Sequence, residues 1–327
     1  MFTKQTIRDV DLSGKTVLLR ADYNVPLEKG KITDDYRIKQ SLPTVNYILD
    51  HAKNLIICSH LGRPTGPDDS ANSLFPVAKR LQQLLDRPVE FALDCVGDSA
   101  DRAIKGMQKG EVLLLENLRY HAEEEANDDK FAKKLASSAD IFVQDGFGVV
   151  HRAHASTDAI TKFLPSVAGL LLEKEVDTIT NVMEKPVRPL MAIVGGAKIT
   201  DKIEILERFI DIADFIAIGG AMANPFLAAR GIDVGKSLYD KKDLPLAKEI
   251  LRKAEAESKK RQFIFAVPHD GVLAEAIDKT APTRIVEWTT HTMADIENYP
   301  KRVPAKASQI YSREMIIDIG PLSAYFI

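Results

Sequence analysis

The chain has 327 residues, 45% of them hydrophobic, and its 44 basic and 47 acidic side chains leave a formal charge of -3. That length exceeds what one hydrophobic core usually organises and implies two domains, each with its own core. A nearly neutral balance excludes a global positive field for nucleic acid or anionic lipid, so any anion site must be local.

The opening segment MFTKQTIRDVDLSGK lacks the apolar centre of a signal peptide, and no later run reaches the roughly 20 apolar residues that span a bilayer. No membrane role is expected. Cys58 and Cys95, the only cysteines, sit in apolar surroundings. They point to a reducing, cytoplasmic setting and leave no Cys-rich metal site.

Short apolar runs then recur along the chain: TVLLR (16–20), NLIICS (54–59), VEFAL (89–93), EVLLLE (111–116), DIFVQ (140–144), LMAIVGG (190–196), DFIAIGG (214–220), QFIFAV (262–267) and MIIDIG (315–320). Helical patterns lie between them. Runs apolar on both faces, separated by stretches long enough for crossover helices, predict an α/β fold with parallel sheets covered on both sides. Between Phe163 and Pro189, a helix is expected to begin near Gly169, with Pro165 before it and Pro186 and Pro189 after it. A hinge between two halves and a plain crossover fit that helix equally well. The charge-rich LPLAKEILRKAEAESKKRQ (244–262) reads as a helix with a solvated face.

In open α/β sheets ligands sit beyond the carboxyl ends of the strands. In the first half those ends carry Asp22 and Asn24, then His60 and Arg63, then Glu116, Asn117 and Arg119, then Asp145 and the segment HRAHAS (151–156) with Arg152. Arg37 opens the helix pattern after the first loop. Gathered like charges repel unless an anion compensates them, and planar guanidinium forks suit phosphate and carboxylate oxygens. A small anionic ligand is therefore expected on this rim.

In the second half two runs end in Gly195-Gly196 and Gly219-Gly220, where backbone can approach a ligand and a following helix offers free N–H groups to phosphate. Neither the Walker pattern nor the full G-x-G-x-x-G fingerprint is present. Thr200 or Asp201 is expected to cap the next helix, with Ile203, Leu206, Phe209 and Ile210 as its buried stripe, Lys198 before it and Lys202 in its first turn. A lysine there opposes the helix dipole by about 0.3–1 kcal/mol. The two ammonium groups would instead suit charge on a transferring phosphoryl group.

These segments together resemble the phosphoglycerate kinase family: RADYNVPLEKGKITDDYRI (20–38), SHLGRP (59–64), LLLENLRYHAEEE (113–125), DGFGVVHRAHAS (145–156), GLLLEKEV (169–176), VGGAKITDKI (194–203), GGAMANPFL (219–227) and VGKSLYD (234–240) follow that family's motifs in order. The resemblance implies two Rossmann-like, doubly wound parallel-sheet domains facing one another across a cleft and joined by a hinge helix. Residues 1–168 would bind phosphoglycerate, 169–187 form the hinge, and 188–327 bind nucleotide. It further implies that Asp22, Asn24, Arg37, His60, Arg63, Arg119 and Arg152 hold 3-phosphoglycerate or 1,3-bisphosphoglycerate. Gly195, Gly196, Gly219, Gly220 and Lys202 would meet ADP or ATP as its Mg²⁺ complex. Arg37, Lys198 and Lys202 would be catalytic, by charge neutralisation.

Local departures from the family pattern are Gln144 and Gly146 where Asn and Ala are expected, Ala221 for a third glycine, and Pro225 for a Thr. Beyond the DIGP segment (318–321) the family's W-N-G-P, G-G-G-D-T and glycine-rich terminal segments do not occur, and the sole tryptophan is Trp288. On that ground the second domain is expected to be incomplete and weaker toward nucleotide and Mg²⁺ than toward phosphoglycerate. Members of the family are usually monomeric; uncovered strand edges here would favour self-association. The alternative to an enzyme is a catalytically impaired relative that binds phosphoglycerate as a binding or assembly module.

Overall fold

The computed structural model describes residues 2–66, 69–278, 280–287 and 315–318, and the chain divides into two compact units, Met1–Asn181 and Val182–Ile327. Trp288 and the terminal residues 319–327 lie outside the described residues.

The first unit begins with β1 (Thr16–Arg20) and a short hairpin, β2 (Leu27–Glu28) and β3 (Lys31–Ile32). There follow α1 (Tyr36–His51), β4 (Asn54–Cys58), α2 (Phe75–Leu85), β5 (Val89–Phe91), α3 (Asp98–Gly106) and β6 (Val112–Leu114). The short α4 (Ala122–Glu125), α5 (Asp129–Ala136), β7 (Ile141–Gln144), β8 (Ser166–Ala168) and α6 (Leu170–Glu184) complete it, the end of α6 passing into the second unit. Six strands form one sheet in the order β5-β6-β4-β1-β7-β8, every pair parallel.

Side chains alternate across a strand, and here both faces are buried. Val17 and Leu19 of β1 join Val45 and Ile48 of α1 and Leu81 of α2 in one core. Leu18 and Phe142, on the opposite face, join Phe131 and Leu135 of α5 in another. Each such side chain contributes about 1.5–3 kcal/mol by leaving water, so two covered faces explain why these strands read as unbroken apolar runs. Cys58 and Cys95 lie in the second core as free thiols. Burial pushes the Cys58 thiol up to about 12 and the Cys95 thiol well above its ordinary range.

The second unit contains β9 (Met191–Gly195), α7 (Ile203–Ile212), β10 (Phe215–Gly219), α8 (Ala223–Ala229), α9 (Leu244–Ser258), β11 (Ile264–Ala266), β12 (Asp270–Ala274), β13 (Thr283–Glu287) and β14 (Met315–Asp318). The order β11-β10-β9 is parallel. A second sheet, β13-β12-β14, is antiparallel, with its register shifted between Val272 and Leu273. Met315–Asp318 of the run MIIDIG therefore does form a strand, but not in a parallel sheet, because an isolated apolar run does not encode its direction.

Coverage of both faces also fails for β9. Ala192 and Val194 enter a core with Leu206, Ile210, Phe226 and Ile250, whereas Met191 and Ile193 are 39% and 70% exposed, and Ile264 of β11 is 37% exposed. The α9 helix buries Ala247, Ile250 and Ala254 and turns its charged residues outward, as its pattern predicts. Among the described residues no helix is long and apolar enough to cross a membrane.

Candidate active site

Because every strand of the six-stranded sheet runs the same way, the loops after β1, β4, β6 and β7 all leave from its carboxyl edge. The residue that organises this edge is Arg20, the last of β1 and only 1% exposed. Its Nε donates to Ser156 Oγ at 2.8 Å, Nη1 to the Ala21 carbonyl at 2.6 Å, and Nη2 meets His60 Nδ1 at 3.2 Å.

A guanidinium only donates, so His60 Nδ1 must be the acceptor and the neutral ring carries its proton on Nε2. The ring does stay neutral. Burial first, and then the charges of Arg20, Arg119, Arg152 and Arg37, lower the His60 pKa to about 2. Those arginines belong to four chain segments, the end of β1, the loop after β6, the loop after β7, and the start of α1, and of them Arg20 touches the ring. A neutral Nε2–H donor among fixed cations is suited to an anion's oxygens.

Side chains bridge these loops to one another. Tyr23 N donates to Ser59 Oγ at 2.8 Å and Gly62 N to Asn24 Oδ1 at 2.8 Å, fastening the β1 loop to the β4 loop. Fully buried Asn117 donates to the Leu61 and Asn72 carbonyls at 2.7 and 2.9 Å and accepts from Leu61 N and Arg119 N. Glu116 accepts from Ser73 Oγ, Leu74 N and Asn117 N. Arg119 Nη1 donates to the Gly62 carbonyl at 2.7 Å, and its Nε pairs with Glu125 at 3.0 Å. Arg37 pairs with Asp22, and the loop after β7 packs on that pair, since a Cβ at Gly148 would lie 2.7 Å from Asp22 Oδ2.

Beneath Arg20, the fully buried Glu124 accepts the Ser156 hydroxyl at 2.5 Å and the Ser156 amide at 2.9 Å. Arg20 and Glu124 thus offset one another through a shared hydroxyl, which limits the several kcal/mol that a lone buried charge would cost.

Arg20, Ser59, Glu124 and Ser156 are the residues that sequence reasoning passed over. The available signal was an arginine closing the apolar run TVLLR. Arg63 and Arg152 are exposed, and Arg63 has no hydrogen bond or ion pair among the described residues. Asp145, read as a rim residue, instead turns its carboxylate to backbone amides of α6.

The two local departures after β7 compensate each other. The Gln144 side chain folds over so that Oε1 accepts from Gly146 N at 2.9 Å, and a Cβ at residue 146 would sit 3.3 Å from that oxygen. The longer amide leaves little room for an alanine. Pro225 lies within the first turn of α8, where its missing N–H has no intrahelical acceptor.

The glycine-ended strands of the second unit pair in register, Gly195 opposite Gly219. A Cβ at Gly220, whose φ is +64°, would come within 3.2 Å of both N and O of Gly196, and one at Gly195 would lie 3.3 Å from the Gly219 carbonyl oxygen. Met222 N donates to the Gly196 carbonyl at 2.8 Å. Close backbone contact is what these glycines permit.

The expected cap differs: Thr200–Lys202 forms a 3-10 turn, α7 starts only at Ile203, and no side chain caps either. Lys202 consequently precedes the helix rather than lying in its first turn. Of the expected stripe, Leu206 and Ile210 are buried, while Ile203 and Phe209 are partly so. Lys202 Cε lies 3.2 Å from the Cβ position of Gly196, beside the glycine rim. Lys198 is exposed, and neither lysine has an ion-pair partner among the described residues.

Comparison with known proteins gives a consistent result. The sequence model of the phosphoglycerate kinase family matches residues 7–326. The chain is 45% identical to a phosphoglycerate kinase of Dictyoglomus turgidum over 98% of its own length and 80% of that protein's. It is 42% identical to the one of Moorella thermoacetica, over 98% and 81%. Among solved structures it resembles phosphoglycerate kinase from Coxiella burnetii (TM-score 0.69, 32% identity, 99% of this chain and 76% of that one). The enzyme from Pyrococcus horikoshii is similar too (TM-score 0.73, 29% identity, 98% and 76%).

Proposed function

Since the chain belongs to the phosphoglycerate kinase family, we propose that its arginine-rich rim holds the phosphoglycerate and its glycine rim the nucleotide in that family's reaction. The protein is a phosphotransferase, moving a phosphoryl group reversibly between 1,3-bisphosphoglycerate and ADP to give 3-phosphoglycerate and ATP. In the reverse direction a carboxylate oxygen of 3-phosphoglycerate attacks the terminal phosphorus of ATP and the bond to ADP breaks. No protein nucleophile is required.

His60 would donate Nε2–H to the phosphoglycerate, Arg63, Arg119 and Arg152 would neutralise its charge, and Asn24 and Asp22 would hold the loops that present them. The nucleotide enters as its Mg²⁺ complex, with Lys202 at its phosphates and Gly195, Gly196, Gly219 and Gly220 giving it backbone access. Arg37 and Lys198 would meet the charge that spreads over the equatorial oxygens in transit, the main demand in phosphoryl transfer.

The observation that carries this reading is the buried pairing of Arg20 with neutral His60 at 3.2 Å, beside the loop on which Arg119 is held by the Gly62 carbonyl. A coupled assay with MgATP and 3-phosphoglycerate is expected to show turnover. Calorimetric titration with 3-phosphoglycerate alone should show one saturable site that weakens with added salt. Binding without turnover would remove the transfer step and keep the anion site; absence of both would overturn the reading.

A further inference from the structure

Strand β7 delivers one more carboxylate that no step above uses. Asp145 is 1% exposed, and its Oδ1 accepts from Leu171 N at 2.9 Å and Leu172 N at 3.0 Å, the second and third residues of α6. Leu170 N donates to Thr44 Oγ1 at 3.1 Å, and Gly169 N to the Gln144 carbonyl at 2.8 Å.

A helix normally takes its cap from the residue just before it. Here that residue is Gly169, which has no side chain to offer, and the cap comes from Asp145 at the end of β7, 26 residues before Leu171. The glycine is required by space: a Cβ on it would lie 2.2 Å from Asp145 Oδ1 and 2.4 Å from Cγ. Asp145 Oδ2 is buried without a hydrogen-bond partner, a cost that packing alone does not call for.

The backbone of the same residue is tied to the end of β1. Asp145 N donates to the carbonyl of Arg20 at 3.0 Å, and the chain runs on from Asp145 into the loop of Gly148 and Arg152. The boundary between the two compact units, Asn181/Val182, falls inside α6. One residue therefore bonds with its backbone to Arg20, whose side chain holds His60, and with its carboxylate to the helix that leads out of that unit.

We propose that Asp145 is a positioning residue for phosphoryl transfer, holding the first turn of α6 in fixed register with the arginine rim without touching either substrate. The proposal rests on the functional reading above. Loss of the bond frees the helix start while the rim keeps its own bridges, so the effect falls on turnover rather than on phosphoglycerate binding.

Replacing Asp145→Ala is expected to lower kcat about tenfold or more, about 1.4 kcal/mol of barrier per factor of ten, with the calorimetric affinity for 3-phosphoglycerate near wild type. Asp145→Asn should recover most of the rate, because an amide oxygen accepts the same two N–H groups. Gly169→Ala displaces the carboxylate without removing it and should reproduce the Asp145→Ala defect, even where the latter variant folds poorly. The double variant Asp145→Ala/Gly169→Ala should lose less than the two singles added, the signature of a shared contact. Wild-type kcat in both single variants, an Asn variant no better than Ala, or phosphoglycerate affinity falling in step with kcat would each overturn the proposal. A wild-type protein without turnover would instead count against the functional reading.

Discussion

The two units build anion sites from different materials. In the first, cations are anchored by side-chain bridges: Arg20 to His60 and Ser156, Arg119 to Gly62 and Glu125, Arg37 to Asp22. In the second, backbone does the work: Gly196 and Gly220 approach so closely that no Cβ fits without movement, and Lys198 and Lys202 stand beside them without ion-pair partners among the described residues. Where cations are fixed in advance, little ordering entropy is left to lose on binding; where they lack such bridges, the ligand must order them. The first arrangement suits recognition of a small rigid anion, and the second suits charge that moves.

The sharpest way to break this comparison is to remove one cation from each unit. Lys198→Ala and Arg37→Ala are each expected to lower kcat by about 10²–10³, the scale of one lost transition-state donor. Stability should separate them: Lys198→Ala leaves it unchanged, while Arg37→Ala frees Asp22 and loses at most about 1 kcal/mol, since Arg37 is half exposed. Near-normal turnover in either variant removes that residue from the mechanism.

A second test isolates the backbone contribution. Gly220→Ala combines a φ of +64° with a Cβ 3.2 Å from Gly196 N and O, and should cost about 1–3 kcal/mol by denaturant titration. Gly14→Ala shares the positive φ, at +70°, but meets nothing within 4 Å. It should cost only about 1 kcal/mol. Nucleotide affinity should fall in the first variant and not the second, with phosphoglycerate affinity intact in both. Equal losses would mean that close approach is incidental.

A third test concerns acid. His60 is neutral in the fold down to about pH 2 but takes a proton near 6.5 when unfolded. Its depressed pKa therefore contributes stability that is fully present above 6.5 and is lost progressively as pH falls from there through about 2. Asp145 acts with the opposite sign. Burial, only partly offset by the neighbouring Thr44 hydroxyl and the amides of Leu172 and Leu171, raises it from 3.8 to about 6, so its contribution is present below 3.8 and lost as pH rises through 6. Urea midpoints at pH 7 and pH 5 should show His60→Gln flattening the acid loss and Asp145→Asn steepening it. The reverse order would refute the assignment of both charge states.

Much of this was legible in the chain because burial on both faces writes itself as an unbroken apolar run. The strands TVLLR, NLIICS and DIFVQ need no partner to be seen. β8 and β12 were passed over because Ser166–Ala168 is too short to carry a period and Asp270–Ala274 opens on a charge and a glycine. The hairpin β2–β3 turns at Lys29 and Gly30, both at positive φ, without the Asn-Gly pair that usually marks such a turn.

The arginines of the rim were readable one strand end at a time. Arg20 and Glu124 were not, because a buried charge and an exposed one are the same letter, and only the fold reveals that Ser156 lies between them. The helix cap on α6 was hidden for a related reason: its donor and acceptor are 26 residues apart, far beyond the spacing at which capping signals are sought.

The two sulfurs have a practical consequence. Cys58 and Cys95 are the only thiols of the chain, both are sealed in the interior, and both resist ionisation. Alkylating reagents require the thiolate, so the folded protein should be almost silent to maleimide chemistry at neutral pH. A single cysteine introduced on the solvent side of each unit would then accept a donor and an acceptor dye without prior removal of natural ones, and the separation of the two units could be followed in solution as each substrate is added.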